Sequence, residues 1–371
     1  VVGAAREAQS YRFTRHSLIP PVFRGERARP GIALNCASEI SGPAQPLVFA
    51  YYSDATQSPV IFSYRVGQGT IICDVQQEDE TADTPIAWRL ADAGQRCVNI
   101  GALMAADHAG GFDTARPVSF NLTIDDIPLE YDYLNEPLLE NFLNHVETIC
   151  PGVHLDCAWI PINQRMSRRY VDILKDHGSG FVWHGLHRHV DHSKLDNLSA
   201  EIEGGRQAID RLKRRFGVDL QPIMIFPYER GGQPAEELVV REGFIAGAEQ
   251  PREDENVGDF DMRAEYLRYS TPGCEHDSGL RFLHRYESRF LTHDRMLAMV
   301  SLGLPILAFG HPRDLGLRRL SRFMDRGGTI SHFDHVLEFA AAKGLIGRSL
   351  EEVAREVFTQ SSESAAQQAC A

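Results

Sequence analysis

Two adjacent carboxylates, Asp125 and Asp126, end the apolar run Phe120–Ile124, and four histidines, His184, His187, His189 and His192, crowd a stretch of nine residues further on. The first of these histidines follows Phe181-Val182-Trp183, so several imidazoles can converge on one point. Imidazole nitrogen together with carboxylate oxygen is a donor set for divalent transition metals. One carboxylate with two imidazoles leaves coordination positions open for water and a substrate oxygen, as a hydrolytic centre requires. A metal so held lowers the pKa of its bound water to about 7, which supplies hydroxide at neutral pH without an activated side-chain nucleophile. One divalent ion is therefore expected, zinc first, with cobalt, nickel or iron also suited. His311 closes the run Pro305–Phe309, and an imidazole there can hand a proton to a leaving amine. Phe226, Pro227 and Tyr228 end a further run ahead of Gly231-Gly232, where Tyr228 offers either packing or a backbone amide to an oxyanion. Taken singly, each group has a plainer reading as a solvated strand end or an ordinary hydrogen-bonded histidine; their recurrence at the same kind of place argues for chemistry.

That place is the end of a strand-like segment. Such segments cover residues 119–126, 153–161, 180–185, 222–228, 244–249, 280–286 and 305–312, and they alternate with helical periodicity over 136–149, 168–177, 200–216, 235–242 and 295–303. The alternation predicts parallel strands, in an α/β barrel or an open doubly wound sheet, and barrels gather catalytic groups at the carboxy-terminal ends of their strands. A helix after residue 349 should lead into a tail, 359–371, too poor in bulky residues to fold.

Upstream, residues 1–28 read as a peripheral lead-in. Residues 1–110 as a whole read as a small α/β domain, with strand-like runs at 31–35, 46–53, 60–66 and 69–75, a helix over 84–93 and a strand over 97–103. A stretch rich in Gly, Asp and Ala, 105–117, looks like the linker to a catalytic unit over 117–348. The net charge of -13 argues against a nucleic-acid footprint, and the basic runs 211–215 and 313–326 read as solvated helix faces. No apolar run approaches the roughly 20 residues of a membrane span. No signal peptide is visible, although the sequence begins at Val1. Seven scattered cysteines lack the paired spacing of a Cys-rich metal site and suit buried thiols, which leans towards a cytoplasmic setting. The oligomeric state is left open.

The motifs resemble those of the NodB-like polysaccharide deacetylase superfamily, in the same order and at similar separations over residues 117 to about 346. Thr123-Ile124-Asp125-Asp126 is similar to the first motif, which implies Asp125 as catalytic base and Asp126 as metal ligand. His184 opens what resembles the second, which implies two histidine ligands. Phe226-Pro227-Tyr228 resembles the third, implying a groove wall and an oxyanion amide, and Leu307-Ala308-Phe309-Gly310-His311 resembles the last, implying His311 as general acid. The resemblance implies a distorted (β/α)7 barrel and removal of N-acetyl or O-acetyl groups from an amino sugar or polysaccharide. The chain departs from the pattern in four places, the first being Ile127 where a glycine commonly follows the first motif's carboxylates. Four residues beyond His184 stands Arg188, so an altered loop must bring His189, or else His187, to the metal. The arginine that orients the base is missing before Pro227, leaving Arg230 or Arg188 as substitutes. No fourth motif is seen between Glu249 and Arg263. The missing arginine and the irregular histidine spacing motivate one alternative, a catalytically silent carbohydrate-binding protein; a metal-dependent hydrolase of small non-sugar amides is a further alternative. Residues 62–75 loosely resemble the end of a glutamine-amidotransferase-like domain; without a nucleophile elbow, a structural or substrate-positioning role is expected there.

Overall fold

In the computed structural model of the chain, the described residues are 10–15, 19, 24–28, 44–52, 54, 56–66, 69–74, 118–127, 129–131, 134–162, 167–229, 231–250, 278–301, 304–312 and 333–358. They fall into two compact units. The first comprises the described residues before Ser119 together with 292–301 and Leu304. Its strands β1 (Ser10–Phe13), β2 (Arg27–Ala28), β3 (Gln45–Tyr51), β4 (Gln57–Val66) and β5 (Gly69–Asp74) form an antiparallel sheet in the order β2-β1-β3-β4-β5. Tyr11 and Phe13 are buried while Arg12 between them is exposed, the two-residue period of a strand with one covered face. The described strands of this unit thus pair antiparallel. The helix expected over 84–93, the strand over 97–103, the linker, the run 31–35, the basic run 313–326 and the tail 359–371 lie outside the described residues. The helix expected over 295–303 is present as His293–Ser301 and groups with this first unit, not with the residues that follow it.

The second unit alternates strand and helix: β6 (Ser119–Ile127), α1 (Glu136–Ile149), β7 (Leu155–Trp159), α2 (Arg168–Asp176), β8 (Gly180–His184), α3 (Leu198–Phe216), β9 (Gln221–Ile225), α4 (Gln233–Arg241), β10 (Ala246–Glu249), β11 (Phe282–His284), β12 (Tyr286–Glu287), β13 (Ile306–Gly310), α5 (Asp334–Lys343) and β14 (Ile346–Gly347). Every residue of β6, β7 and β13 is buried, as parallel strands covered on both faces must be. The first three helices start where side chains cap them: Asn135 accepts from the Leu138 amide, Ser167 from Tyr170 and Asn197 from Ala200. Leu139, Phe142, Leu143 and Val146 form the buried stripe of α1. The basic run 211–215 lies on the exposed side of α3, with only Leu212 turned inward.

All pairings in this sheet are parallel, in the order β11-β10-β9-β8-β7-β6-β13-β12, with β14 beside the start of β6. The two ends of that order are consecutive in the chain, separated by Arg285 alone, whose N–H donates to the Glu249 carbonyl. Residues 282–287 therefore act as one strand that bonds β10 through its first half and β13 through its second. The sheet closes on itself as a seven-stranded parallel barrel, counting β11 and β12 as one strand and leaving out β14. This is the distorted (β/α)7 barrel that the motifs implied. Its interior is filled by Ala158, Val182, Ile223, Ile225, Leu283 and Leu307, against which Leu350, Val353 and Ala354 of a helix over 350–358 pack. Among the described residues no helix is long and apolar enough to cross a membrane.

Candidate active site

Adjacent residues of a regular strand point to opposite faces, so Asp125 and Asp126 could not both turn into the barrel mouth without a break in β6. The break is there: Ile124 pairs with Cys157 and Ile127 with Trp159, so β6 holds one residue more than β7 across this step. Asp126 sits in the left-handed region at φ 59°, an uncommon conformation for a residue with a side chain. The bulge leaves both carboxylates buried, at 2% and 4% exposure.

His184 is the last residue of β8 and pairs in register with Ile225. Its Nδ1 lies 3.2 Å from the Ile225 carbonyl and its Nε2 3.1 Å from Asp126 Oδ1. His189 Nε2 is 2.9 Å from the same oxygen, and His311 Nε2 lies 3.8 Å from the other, Oδ2. Asp126, His184 and His189 offer three ligand atoms within 4.8 Å of one another. His187, the alternative ligand, is not among them. It is carried to the opposite side of the loop, where its ring abuts Gly204 of α3.

The loop takes this path because Gly185, at φ 83°, reverses the backbone straight after β8. Leu186 then drops into the core among Trp183, Ile202 and Phe226. Burial opposes the charge on Asp126, but hydrogen bonds from His184 and His189, and then their charge, hold its carboxyl far below the usual carboxylate range. For His184, burial pulls the pKa down; the bond to Asp126 and the charges of Asp125 and Asp126 outweigh it, and the net shift is upward despite Arg285.

Asp125 is held by Arg285, whose Nη1 lies 2.7 Å from each carboxylate oxygen. The guanidinium carbon stands 4.1 Å from the centre of the Phe309 ring, a cation–π contact on a side chain only 1% exposed. The arginine found against Asp125 is thus Arg285, where Arg230 or Arg188 had been expected. Arg188 instead reaches out to Glu201 of α3 at 2.5 Å, and Arg230 lies outside the described residues. The sequence did carry a signal for Arg285, an arginine in the middle of the apolar run 280–286, since arginine is almost never fully buried unless paired. Tyr228 follows β9 at φ 58°, the second strained non-glycine residue of the described chain. Its ring is 64% exposed and its centre lies 5.0 Å from that of His189.

The donor set fits a divalent cation. With Nδ1–H donated to the Ile225 carbonyl, a neutral His184 directs the lone pair of Nε2 at a carboxylate oxygen, and two acceptors so close need a proton or a cation between them. Metal–ligand bonds of about 2.0–2.2 Å from one centre require donors roughly 3–4 Å apart, which matches the spacing about Asp126 Oδ1.

No protein-family model matches the chain, and a search of curated proteins returns no match. Solved structures do resemble it. A family 4 carbohydrate esterase from Streptomyces lividans in complex with acetate is 13% identical, covers 63% of this chain and 93% of its own, and has a TM-score of 0.36. A mutant of a peptidoglycan deacetylase from Bacillus subtilis is 12% identical, with 70% and 100% covered and a TM-score of 0.35. The chitin deacetylase from the fungal pathogen Colletotrichum lindemuthianum is 12% identical, with 64% and 88% covered and a TM-score of 0.34.

Proposed function

We propose that the chain is a metal-dependent hydrolase that removes N-acetyl, or O-acetyl, groups from an amino sugar or polysaccharide. The observation that carries this reading is the convergence at one barrel mouth of three metal donors, Asp126, His184 and His189, with a second carboxylate, Asp125, that is clamped by Arg285. A divalent ion bound by the three donors supplies Lewis-acid polarisation of the acyl carbonyl and acidifies water. Asp125, fixed by contact of both its oxygens with Arg285, takes the proton of the attacking water. The backbone amide of Tyr228 donates to the carbonyl oxygen as that atom gains charge. His311, placed at the other oxygen of Asp126, protonates the departing nitrogen, because an amine leaves readily only as the neutral species; it does the same for an alkoxide. The carbohydrate class rests on the motif resemblance. The alternative of a silent carbohydrate-binding protein was motivated by the missing arginine and by the irregular histidine spacing; the pairing of Arg285 with Asp125 weakens the first motive.

The test is acetate release from a panel of acetylated glycans, esters and small amides by the zinc-loaded full chain. Asp125→Asn is expected to keep the metal and lose turnover by at least about 100-fold, the scale of general acid–base catalysis. Asp126→Ala should lose both metal and activity. Full activity in either variant, or metal-replete wild type that releases acetate from nothing, would overturn the reading; release from small amides alone would favour the non-sugar hydrolase.

A further inference from the structure

His189 reaches Asp126 from a position five residues beyond His184, and the intervening turn is built from parts that touch no ligand atom. Gly185 reverses the chain with so little room that an added Cβ would stand 3.0 Å from His192 Cε1 and 3.0 Å from Pro227 Cγ. The Leu186 amide, exposed by that reversal and buried by the core around it, donates to His192 Nε2 at 3.0 Å. His192 is itself 1% exposed and lies edge-on to Phe226 at 5.9 Å between centres. The ring therefore joins the start of the loop, just past the first histidine donor, to its far end, three residues past the second.

We propose that His192 is a positioning residue of the metal centre: by accepting the Leu186 amide proton it fixes the five-residue turn that sets His189 opposite His184 on Asp126. The inference rests on the metal reading above. An acceptor is required at Nε2 because a buried backbone N–H left without a partner would drive the loop to open towards water. Opening by even one ångström takes His189 off a centre whose donors must sit within a few tenths of an ångström of their places. Burial also pushes His192 down to about 4, against the opposing field of Glu201, so the ring stays neutral and keeps its acceptor at physiological pH.

The experiment is zinc affinity by chelator competition, with the visible spectrum of the cobalt-substituted chain as a readout of ligand number, on the purified full chain. Glutamine places an amide oxygen near the position of Nε2, whereas the shorter asparagine does not reach. His192→Gln is expected to bind zinc within about threefold of wild type, and His192→Asn to bind about 10–100-fold more weakly, the range for groups that orient metal ligands. The cobalt spectrum of His192→Asn should show one imidazole fewer, as that of His189→Ala does, while metal-free melting temperatures of the Gln and Asn variants agree. Should His192→Asn not fold, His192→Phe keeps the ring against Phe226 and lacks the acceptor; the same loss is expected. Wild-type affinity and spectrum in the variants without an acceptor, with binding abolished in Asp126→Ala, would overturn this inference and leave the metal reading intact. Absence of metal binding by wild type would overturn both.

Discussion

A guanidinium as fully enclosed as that of Arg285 is tolerable only while a carboxylate faces it, and the converse holds for Asp125. Replacing Arg285 by Met keeps most of the side-chain volume but strands a buried charge, so Arg285→Met should lower stability by about 3 kcal/mol in urea denaturation. Asp125→Asn in the same chain should recover most of that loss, because the uncompensated carboxylate goes with it. Acetate release by Arg285→Met should fall by about 100-fold, since the arginine pairs with the carboxylate proposed as base. Asp125, Asp126, His184 and His311 could be read from the sequence because each ends an apolar run. Arg285 could not be assigned to its partner, which lies 160 positions away with no local pattern to announce the pairing. The choice between His189 and His187 was equally closed to spacing arguments, since it turns on one left-handed glycine.

At the scale of elements, the histidine loop is held by the helix it lies on. Leu186 O would stand 1.7 Å from a Cβ at Gly205, and the His187 ring 2.6 Å from one at Gly204, so two adjacent glycines of α3 form the seat for the loop. Gly205→Ala gains intrinsic helix propensity yet must push a backbone carbonyl aside. It should destabilise the chain by about 2 kcal/mol or more and weaken zinc binding, as measured by denaturation and chelator competition. Strands and helices of the second unit were legible within a few residues, since buried parallel strands are continuous apolar runs and three of the helices carry Asn or Ser caps at their starts. Illegible was which neighbour each strand would choose. The run 280–286 read as one strand, and nothing in its period said that it changes partners at Arg285. The first unit shows the same limit: strand-like runs were found in β3, β4 and β5, but their antiparallel pairing was not.

For the molecule as a whole, alternation of strands and helices left an open sheet and a barrel equally allowed, and closure is a property of the assembled chain. Its amino-terminal rim is tied by Asp156, fully buried, which accepts from Asn121 Nδ2 at 2.8 Å, from the Leu350 amide at 2.8 Å and from Gln221 Nε2. One carboxylate thus links β6, β7, the start of β9 and the last helix at the end of the barrel away from the candidate centre. Asp156→Ala removes the acceptor that these donors share, leaving the Leu350 amide buried without it, and should cost about 3 kcal/mol, visible as a lower denaturation midpoint. Acetate release per folded molecule should stay near the wild-type value, because catalysis and stability occupy opposite ends of a barrel. The seam at residues 282–287 has one further consequence. Arg285, which pairs with Asp125, is also the joint at which the last staves meet, so a chain whose barrel has not closed leaves Asp125 unrestrained. On the proposed mechanism, full hydrolytic competence would therefore wait until the cylinder is complete, even where the three donors about Asp126 had already met.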